Sequence, residues 1–305
     1  MRTACLMICW VLTGCFFRGG GGDLDLTPTL SDPWEVSGFR GRYLEGTEFP
    51  VELNNADPDR TYEVTSTDES VITLTQTATG IDAAAVGVGD AIIILFEDGV
   101  EVNRYDIHVA QADSLTLTLE NEGLRGYTVD LEGAVTIHQG GSADVHVRYF
   151  EGEERLYGFF AASVEGDIPA EVAPASTRGN AFRLSPTASG DFAMVFGAGE
   201  LREEVTVRVR ESVTSLAFSG DRNLLLFGST DTDDSAETIR TLALDEEGNR
   251  FQGSLPIQWT LDGRSLGEAT FVSVLGGERV LTLVAELDGM RIETTTFDGD
   301  VLLAR

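Results

Sequence analysis

The chain has 305 residues, which is long for one ordinary domain and suits two or three. Hydrophobic residues make up 42% of it, enough to build packed cores, so global disorder is excluded. The 51 acidic residues outnumber 21 basic ones, all of them arginine, and give a formal net charge of −30. Such a surface repels phosphate backbones and excludes nucleic acid as a partner; its ordinary role is solubility.

The three cysteines are confined to the start of the chain, at Cys5, Cys9 and Cys15. Disulfides, cysteine-ligated zinc and a cysteine nucleophile are therefore excluded from the sequence that follows. The folded part has to be stabilised by burial of apolar side chains.

The first fourteen residues have the pattern of an export signal. A positive start at Met1-Arg2 precedes an apolar stretch over residues 4–12. A bilayer span needs about 20 apolar residues, so this stretch is too short to cross and is typical of a secretory signal peptide. It ends in Leu12-Thr13-Gly14-Cys15, which resembles the lipobox of bacterial lipoproteins. An ordinary signal peptide with an incidental cysteine is the alternative.

The lipobox resemblance implies cleavage after residue 14 and a diacylglycerol on the thiol of Cys15. A lipid anchor makes the membrane a partner, and stable anchoring takes two or more acyl chains. Phe16, in place of aspartate, favours the outer membrane by the sorting rules of enterobacterial lipoproteins. Gly19–Gly22 then predicts a flexible tether, placed over residues 15–33. Whether the protein faces the periplasm or the cell exterior stays open.

Apolar and polar residues alternate along most of the remaining chain. Val205–Arg210, Leu115–Leu119 and Val145–Tyr149 have the period of two that is typical of half-buried β-strands. Asp-Gly pairs, as at Asp98-Gly99 and Asp262-Gly263, favour tight turns between strands. The sequence therefore predicts an all-β protein.

Internal repetition gives the number of domains. Phe96–Gly99 and the strand after it align with Phe196–Gly199, and Leu287–Gly289 begins a third version. The predicted units are residues 34–112, 113–212 and 213–305. Units of this length with about seven strands each are typical of tandem immunoglobulin-like β-sandwiches.

Several short motifs recur in the same order in these units. A Gly-Thr or Gly-Ser pair precedes an apolar strand, as at Gly46-Thr47, and Thr65–Ile72 follows in the first unit. Together these motifs resemble bacterial Ig-like (Big) domains. Trp259 stands where that family has its central core tryptophan, whereas Val64 and Phe160 stand there in units one and two.

No catalytic constellation is recognisable in the sequence. His108, His138 and His146 are the three histidines, and their apolar neighbours predict that all three lie on outward strand faces. Motifs for a nucleophile elbow, a zinc protease or a phosphate-binding loop do not occur. We therefore predict a non-enzymatic protein without a cofactor, a cofactor-binding residue or a catalytic residue.

Two groups of residues are candidates for binding. Asp231, Asp233, Asp234 and Glu237, in the segment 231–237, could offer oxygen ligands to calcium, but they lack the glycine and final glutamate of an EF-hand loop. We expect segment 231–237 to be a solvated acidic loop that binds no metal. A second group is aromatic and is expected to fill the core, with a glycan- or protein-binding platform as the alternative. Its members are Tyr149, Phe150, Tyr157, Phe159 and Phe160.

These observations predict an envelope lipoprotein that presents Ig-like domains for adhesion or protein interaction. A carbohydrate-binding or substrate-capturing lipoprotein is the alternative, and a degenerate enzyme accessory domain is a third possibility. The protein or glycan partner stays unidentified.

The lipid anchor is tested by Cys15→Ala. We expect this variant to leave the membrane fraction, since the rest of the sequence offers no other anchor. Cys9→Ala is the control and should stay membrane-bound. A Cys15→Ala protein that still pellets with membranes after a high-salt wash contradicts the lipoprotein reading.

The acidic segment is tested by melting curves in matched salts. A calcium site at a hundredfold excess over its Kd would add about 2.7 kcal/mol, and each kcal/mol moves Tm by roughly 4–8 °C. We expect instead similar Tm values in calcium, magnesium and sodium of equal ionic strength, because diffuse charge is only screened. A calcium-selective rise of ten degrees that Asp233→Asn abolishes would establish a site.

Overall fold

The computed structural model describes residues 24–28, 41–76, 80–120, 128–131, 133–158, 162–167, 169–174, 180–218, 223–226, 235–275, 280–297 and 300–304. Every regular element in these ranges is a β-strand, as the alternating pattern predicted. The chain is an all-β protein built as tandem immunoglobulin-like β-sandwiches, with buried side chains gathered in three clusters.

The first sandwich consists of two four-stranded sheets, ordered β1-β3-β6-β5 and β2-β8-β7-β4. Its strands are β1 (Asp25–Pro28), β2 (Arg42–Leu44), β3 (Glu48–Asn54), β4 (Tyr62–Ser66), β5 (Ile72–Gln76), β6 (Ile81–Ala85), β7 (Gly89–Glu97) and β8 (Val100–Ala110). All pairs are antiparallel except β2 with β8, which run parallel. The inner faces enclose a core in which the Tyr43 ring stacks on Phe49 at 4.3 Å, and Val64 is buried on β4.

Part of the predicted tether is a strand. Residues 25–28 form β1, and Leu26 is fully buried. The Tyr105 hydroxyl donates to Asp25 Oδ1 at 2.6 Å and accepts from the Leu26 amide at 2.9 Å. Burial, with help from Asp25, raises the pKa of Tyr105, which keeps the phenol protonated as a donor. The alternation of Leu24, Leu26 and Pro28 is the physical reason: it offers one apolar face to the sheet.

The second sandwich has sheets ordered β10-β9-β12-β16-β15, with β13 on β12, and β14-β17-β18-β11-β22. Its own strands are β9 (Ser114–Glu120), β10 (Thr128–Asp130), β11 (Ala134–His138), β12 (Ala143–Glu151), β13 (Glu154–Leu156), β14 (Ser163–Gly166), β15 (Ala170–Pro174), β16 (Ala181–Pro186), β17 (Gly190–Ala198) and β18 (Leu201–Arg210). As in the first sandwich, two strands far apart in the chain but adjacent in the sheet, β11 and β18, pair in parallel. Phe182 and Phe196 meet in the core between the sheets.

The third sandwich has sheets ordered β19-β21-β25-β28, with β20 on β21, and β24-β23-β26-β27. The strands are β19 (Ser215–Phe218), β20 (Asn223–Leu226), β21 (Ser235–Leu244), β22 (Phe251–Gln252), β23 (Ile257–Leu261), β24 (Arg264–Ala269), β25 (Phe271–Leu275), β26 (Val280–Leu287), β27 (Met290–Phe297) and β28 (Asp300–Ala304). Trp259 is completely buried, and its Nε1–H donates to the Ala269 carbonyl at 2.8 Å. The prediction that Trp259 is a core residue is confirmed.

We expect Trp259→Ala to destabilise the third sandwich by about 3–5 kcal/mol, the cost of a large aromatic cavity. Trp259→Phe should cost less, because it mainly leaves the Ala269 carbonyl without its donor. Urea denaturation followed by circular dichroism measures both, and Arg264→Ala on the exposed strand β24 is the control, expected within about 0.5 kcal/mol of wild type. A wild-type midpoint for Trp259→Ala would contradict this core assignment.

Candidate functional site: two interdomain junctions

The first sandwich is joined to the second by strand pairing. The outer edge of β2 forms a parallel bridge between Tyr43 and Tyr157. Leu44 N–H donates to the Tyr157 carbonyl at 2.9 Å, and Tyr157 N–H donates to the Arg42 carbonyl at 3.1 Å. Leu44 and its neighbour Ala110 are buried in the core of the second sandwich, while Tyr157 packs against the core of the first. Each of the two units therefore contributes side chains to the core of the other.

The second sandwich is joined to the third in the same way. β11 pairs on one side with β18 and on the other, in parallel, with β22 of the third unit. The register places Thr136 opposite Phe251 and Ile137 opposite Gln252. In both junctions the first strand of a sheet is therefore covered by a short segment of the following unit.

A glycine follows the bridging residue in both junctions. Gly158 has φ +121°, and an added Cβ would overlap the side chain of Thr47, which is buried in the Gly-Thr turn of the first unit. Gly253 has φ +80°, and an added Cβ would overlap the Ser142 carbonyl in the Gly-Ser turn of the second unit. Ser142 N–H also donates to Ser254 Oγ at 2.7 Å. The repeated Gly-Thr and Gly-Ser motifs thus lie at the unit boundaries.

Charged side chains bridge the first junction. Arg42 and His108 are opposite each other on β2 and β8. The Arg42 guanidinium donates to Glu151 Oε2 of the second unit at 2.9 Å, and His108 Nε2 lies 3.3 Å from the same oxygen. His108 Nδ1 lies 2.7 Å from Asp90 Oδ1. Two positive or potentially positive groups of one unit therefore hold one carboxylate of the next.

The second junction contains a buried histidine. The His138 side chain is only 7% exposed, and its Nε2 lies 3.2 Å from Asp288 Oδ2 of the third unit. That oxygen also accepts from the Val213 amide at 2.9 Å, while His138 Nδ1 accepts from the Gly140 amide at 3.1 Å. A continuous set of hydrogen bonds thus connects the turn of the second unit to the third.

Arg210, opposite His138 on β18, also faces the third unit. It donates to Asp191 Oδ1 at 2.6 Å and to Glu247 Oε2 at 3.3 Å, and these carboxylates raise the pKa of the guanidinium, the Asp191 hydrogen bond most. Burial acts to raise the pKa of Asp245 nearby, but hydrogen bonds from Asn249 and the Glu247 amide together hold it below its ordinary value. The cleft beside Arg210, of about 420 Å³, is lined by Arg210, Asp245 and Glu247 together with residues 189–190, 209, 211–212 and 246.

Alternation predicted exposed histidines on outward strand faces, and this exposure is wrong for His138, whose face is covered by the third unit. His108 and His146 are half-buried between buried neighbours on each side, as alternation requires. His138 is buried, because the third unit packs over the end of β11 and the Phe251 ring lies at 5.7 Å. Alternation assigns a side chain to a face of one sheet, and it carries no information about a neighbouring unit.

The remaining predicted site residues fall into three groups. Cys15 and residues 231–234 lie outside the described residues, so lipidation and the metal-free loop stay predictions; residues 235–237 begin strand β21 and are not a loop. Of the aromatic group, Tyr149 is buried, as expected for a core residue, Phe150 and Tyr157 are half-buried, and Phe159 and Phe160 are not described. Among the side chains whose exposure the structure gives, the exposed large apolar ones are valines.

The described ranges contain neither a cluster of metal-binding side chains nor a membrane-spanning helix. There, histidine, aspartate and glutamate side chains form no group of three or more suited to a metal ion. The described part of the chain also has no helix of the length and apolar character needed to span a bilayer.

Comparison with known proteins gives distant structural likenesses. No protein-family model matches the chain, and no curated protein matches it. Domains 4–9 of the surface layer protein SbsC are similar at 11% identity and TM-score 0.34, over 90% of this chain and 48% of that one. The chain thus spans about half the length of that SbsC structure.

Two further similar structures are invasin, a bacterial integrin-binding protein, and InvD of Yersinia pseudotuberculosis. Invasin is 12% identical with TM-score 0.26, over 92% of this chain and 63% of that one. InvD is 12% identical with TM-score 0.27, over 91% of this chain and 97% of that one. The assignment as tandem Ig-like sandwiches rests on the sheets and cores of the chain itself.

The close contact of Gly253 with the Ser142 turn of the second unit, called here the glycine interlock, is tested by Gly253→Ala. Gly248→Ala is the matched control. Both glycines have φ near +80°, but an added Cβ at Gly248 meets nothing within 4 Å. Each alanine should cost about 1–2 kcal/mol for the left-handed backbone, and Gly253→Ala about 1–3 kcal/mol more, because it overlaps the second unit. Thermal unfolding of the full chain measures the difference, and equal melting temperatures for the two variants would contradict the interlock.

Proposed function

We propose that the chain is a non-enzymatic, membrane-anchored envelope lipoprotein that uses its Ig-like units as a stiff arm for adhesion or protein interaction. The proposal joins the lipobox at Cys15 to the construction of the two junctions. In this proposal the lipid holds the chain at a membrane, and the sandwiches extend from it to meet a protein partner.

The repeated junction is the observation that carries the proposal. Each junction combines backbone pairing, a glycine seated against a buried or half-buried turn, and side-chain hydrogen bonds. Units joined by a single flexible linker reorient freely by default. Several independent contacts at each boundary support a limited range of orientations, which suits an arm that sets the distance of a binding surface from its anchor.

The side-chain inventory supports binding over catalysis. The histidines of the junctions make structural hydrogen bonds with neighbouring units, and Arg42 and Arg210 are engaged by carboxylates. Electrostatics gives such a strongly acidic protein a preference for partners with basic surfaces. We therefore expect a protein partner that presents arginine or lysine.

Cross-linking on intact cells, followed by mass spectrometry, tests the proposal. The anchored wild type should capture a defined envelope or surface protein, and Cys15→Ala should lose that capture together with its membrane association. An unrelated lipoprotein with the same signal segment is the control for nonspecific neighbours. Capture no different from that control contradicts the interaction role, and membrane retention of Cys15→Ala contradicts the anchor.

A further inference from the structure

The two junctions contain histidines whose hydrogen bonds require different protonation states. An imidazole ordinarily changes charge between about pH 5 and pH 8. A carboxylate oxygen only accepts hydrogen bonds, whereas a backbone amide only donates them. The partner on each ring nitrogen therefore specifies whether that nitrogen carries hydrogen.

At the first junction both ring nitrogens of His108 face carboxylates. Asp90 Oδ1 lies 2.7 Å from Nδ1, and Glu151 Oε2 of the second unit lies 3.3 Å from Nε2. Both contacts are hydrogen bonds at the same time only in the imidazolium form, in which both nitrogens carry hydrogen. When it loses one proton, one carboxylate faces a nitrogen lone pair, and that contact becomes repulsive.

Other charged groups also surround His108. Arg42, opposite it on β2, shares Glu151 and lies 3.9 Å from Glu154, and Asp106 is exposed two residues earlier on β8. Arg42 brings a positive charge to this group, and Asp90, Asp106, Glu151 and Glu154 bring negative ones. Since His108 is about one-third exposed, a proton can reach it from solvent.

At the second junction the partners of His138 specify the neutral ring. The Gly140 amide donates to Nδ1, so this nitrogen has no hydrogen, while Nε2 donates to Asp288 Oδ2. A second proton would have to replace the Gly140 hydrogen bond in a side chain that is 7% exposed and lies opposite Arg210. One uncharged tautomer satisfies every contact of this ring.

We propose that the first junction is a pH-dependent hinge, closed while His108 bridges Asp90 and Glu151 as an imidazolium and loosened when His108 becomes neutral, whereas the second junction keeps its closure over the same range. Raising the pH thus weakens the first junction, which keeps its backbone pairing and the burial of Leu44 and Ala110, and leaves the second junction unchanged. The inference depends on the junction contacts alone and holds with or without a lipid at Cys15.

Spin-label distances within the full chain test this hinge. With Cys5, Cys9 and Cys15 replaced by serine, introduced cysteines are the only thiols. The pair Glu48→Cys with Glu165→Cys reports the first junction, and Glu165→Cys with Arg264→Cys reports the second, all at exposed strand positions. Distance distributions are recorded between pH 5.5 and pH 8, where the carboxylates stay ionised.

We expect the ratio of closed to open first junctions to fall as the pH rises, by up to about tenfold per pH unit, the limit for one linked proton. The distribution for the second junction should stay unchanged. His108→Gln should remove the pH dependence, and His108→Arg, which stays charged, should keep more of the junction closed at pH 8 than His108→Gln does. His146→Gln is the control, because His146 pairs on β12 with Ala181 and Thr118 of its own unit, and this variant should respond like the wild type.

Two results would overturn the proposal. One is a first-junction distribution that is the same at both ends of the pH range, or a response that persists in His108→Gln. The other is a His138 ring that gains its second proton in this range, which ¹⁵N spectra of the three histidines, assigned by the glutamine variants, would reveal directly.

Discussion

An exposed strand edge leaves unpaired backbone donors and acceptors, and this constraint determines how the molecule is assembled. In the first two sandwiches the first strand of one sheet, β2 or β11, pairs in parallel with the last strand of the same unit. Its other edge is then completed by one or two residues of the next unit. Burial, glycine conformation and charge at the boundaries all follow from this pairing.

The sequence predicted those features of the fold that depend on residues close together along one strand. Period-two alternation gave the strands, and the Gly-Thr motif with Trp259 gave the resemblance to Ig-like domains. It did not predict β1, because the four glycines before it suggested a tether, nor the burial of His138, which depends on a unit more than a hundred residues away. A gapless offset of 100 aligns Ala110 with Arg210, and that change from apolar to charged is a sequence signal that the two junctions differ.

Charge is used unevenly between the bulk of the surface and the junctions. An excess of thirty negative charges makes a compact chain repel itself, and each unit adds to that repulsion. Arg42 and Arg210 are placed where two acidic units approach each other, so each of them offsets repulsion between carboxylates at a junction. These two arginines therefore reduce repulsion between units through their position at the junctions.

The burial of Leu44 and Ala110 in the second core has a consequence for how the molecule comes apart. These side chains belong by sequence to one unit and by packing to the next, so part of the free energy of unfolding is shared across the boundary. Such arrays behave as a one-dimensional chain of elements coupled to their nearest neighbours. Loss of the middle element removes support from both sides at once, so partial unfolding should begin at an outer element and advance inward.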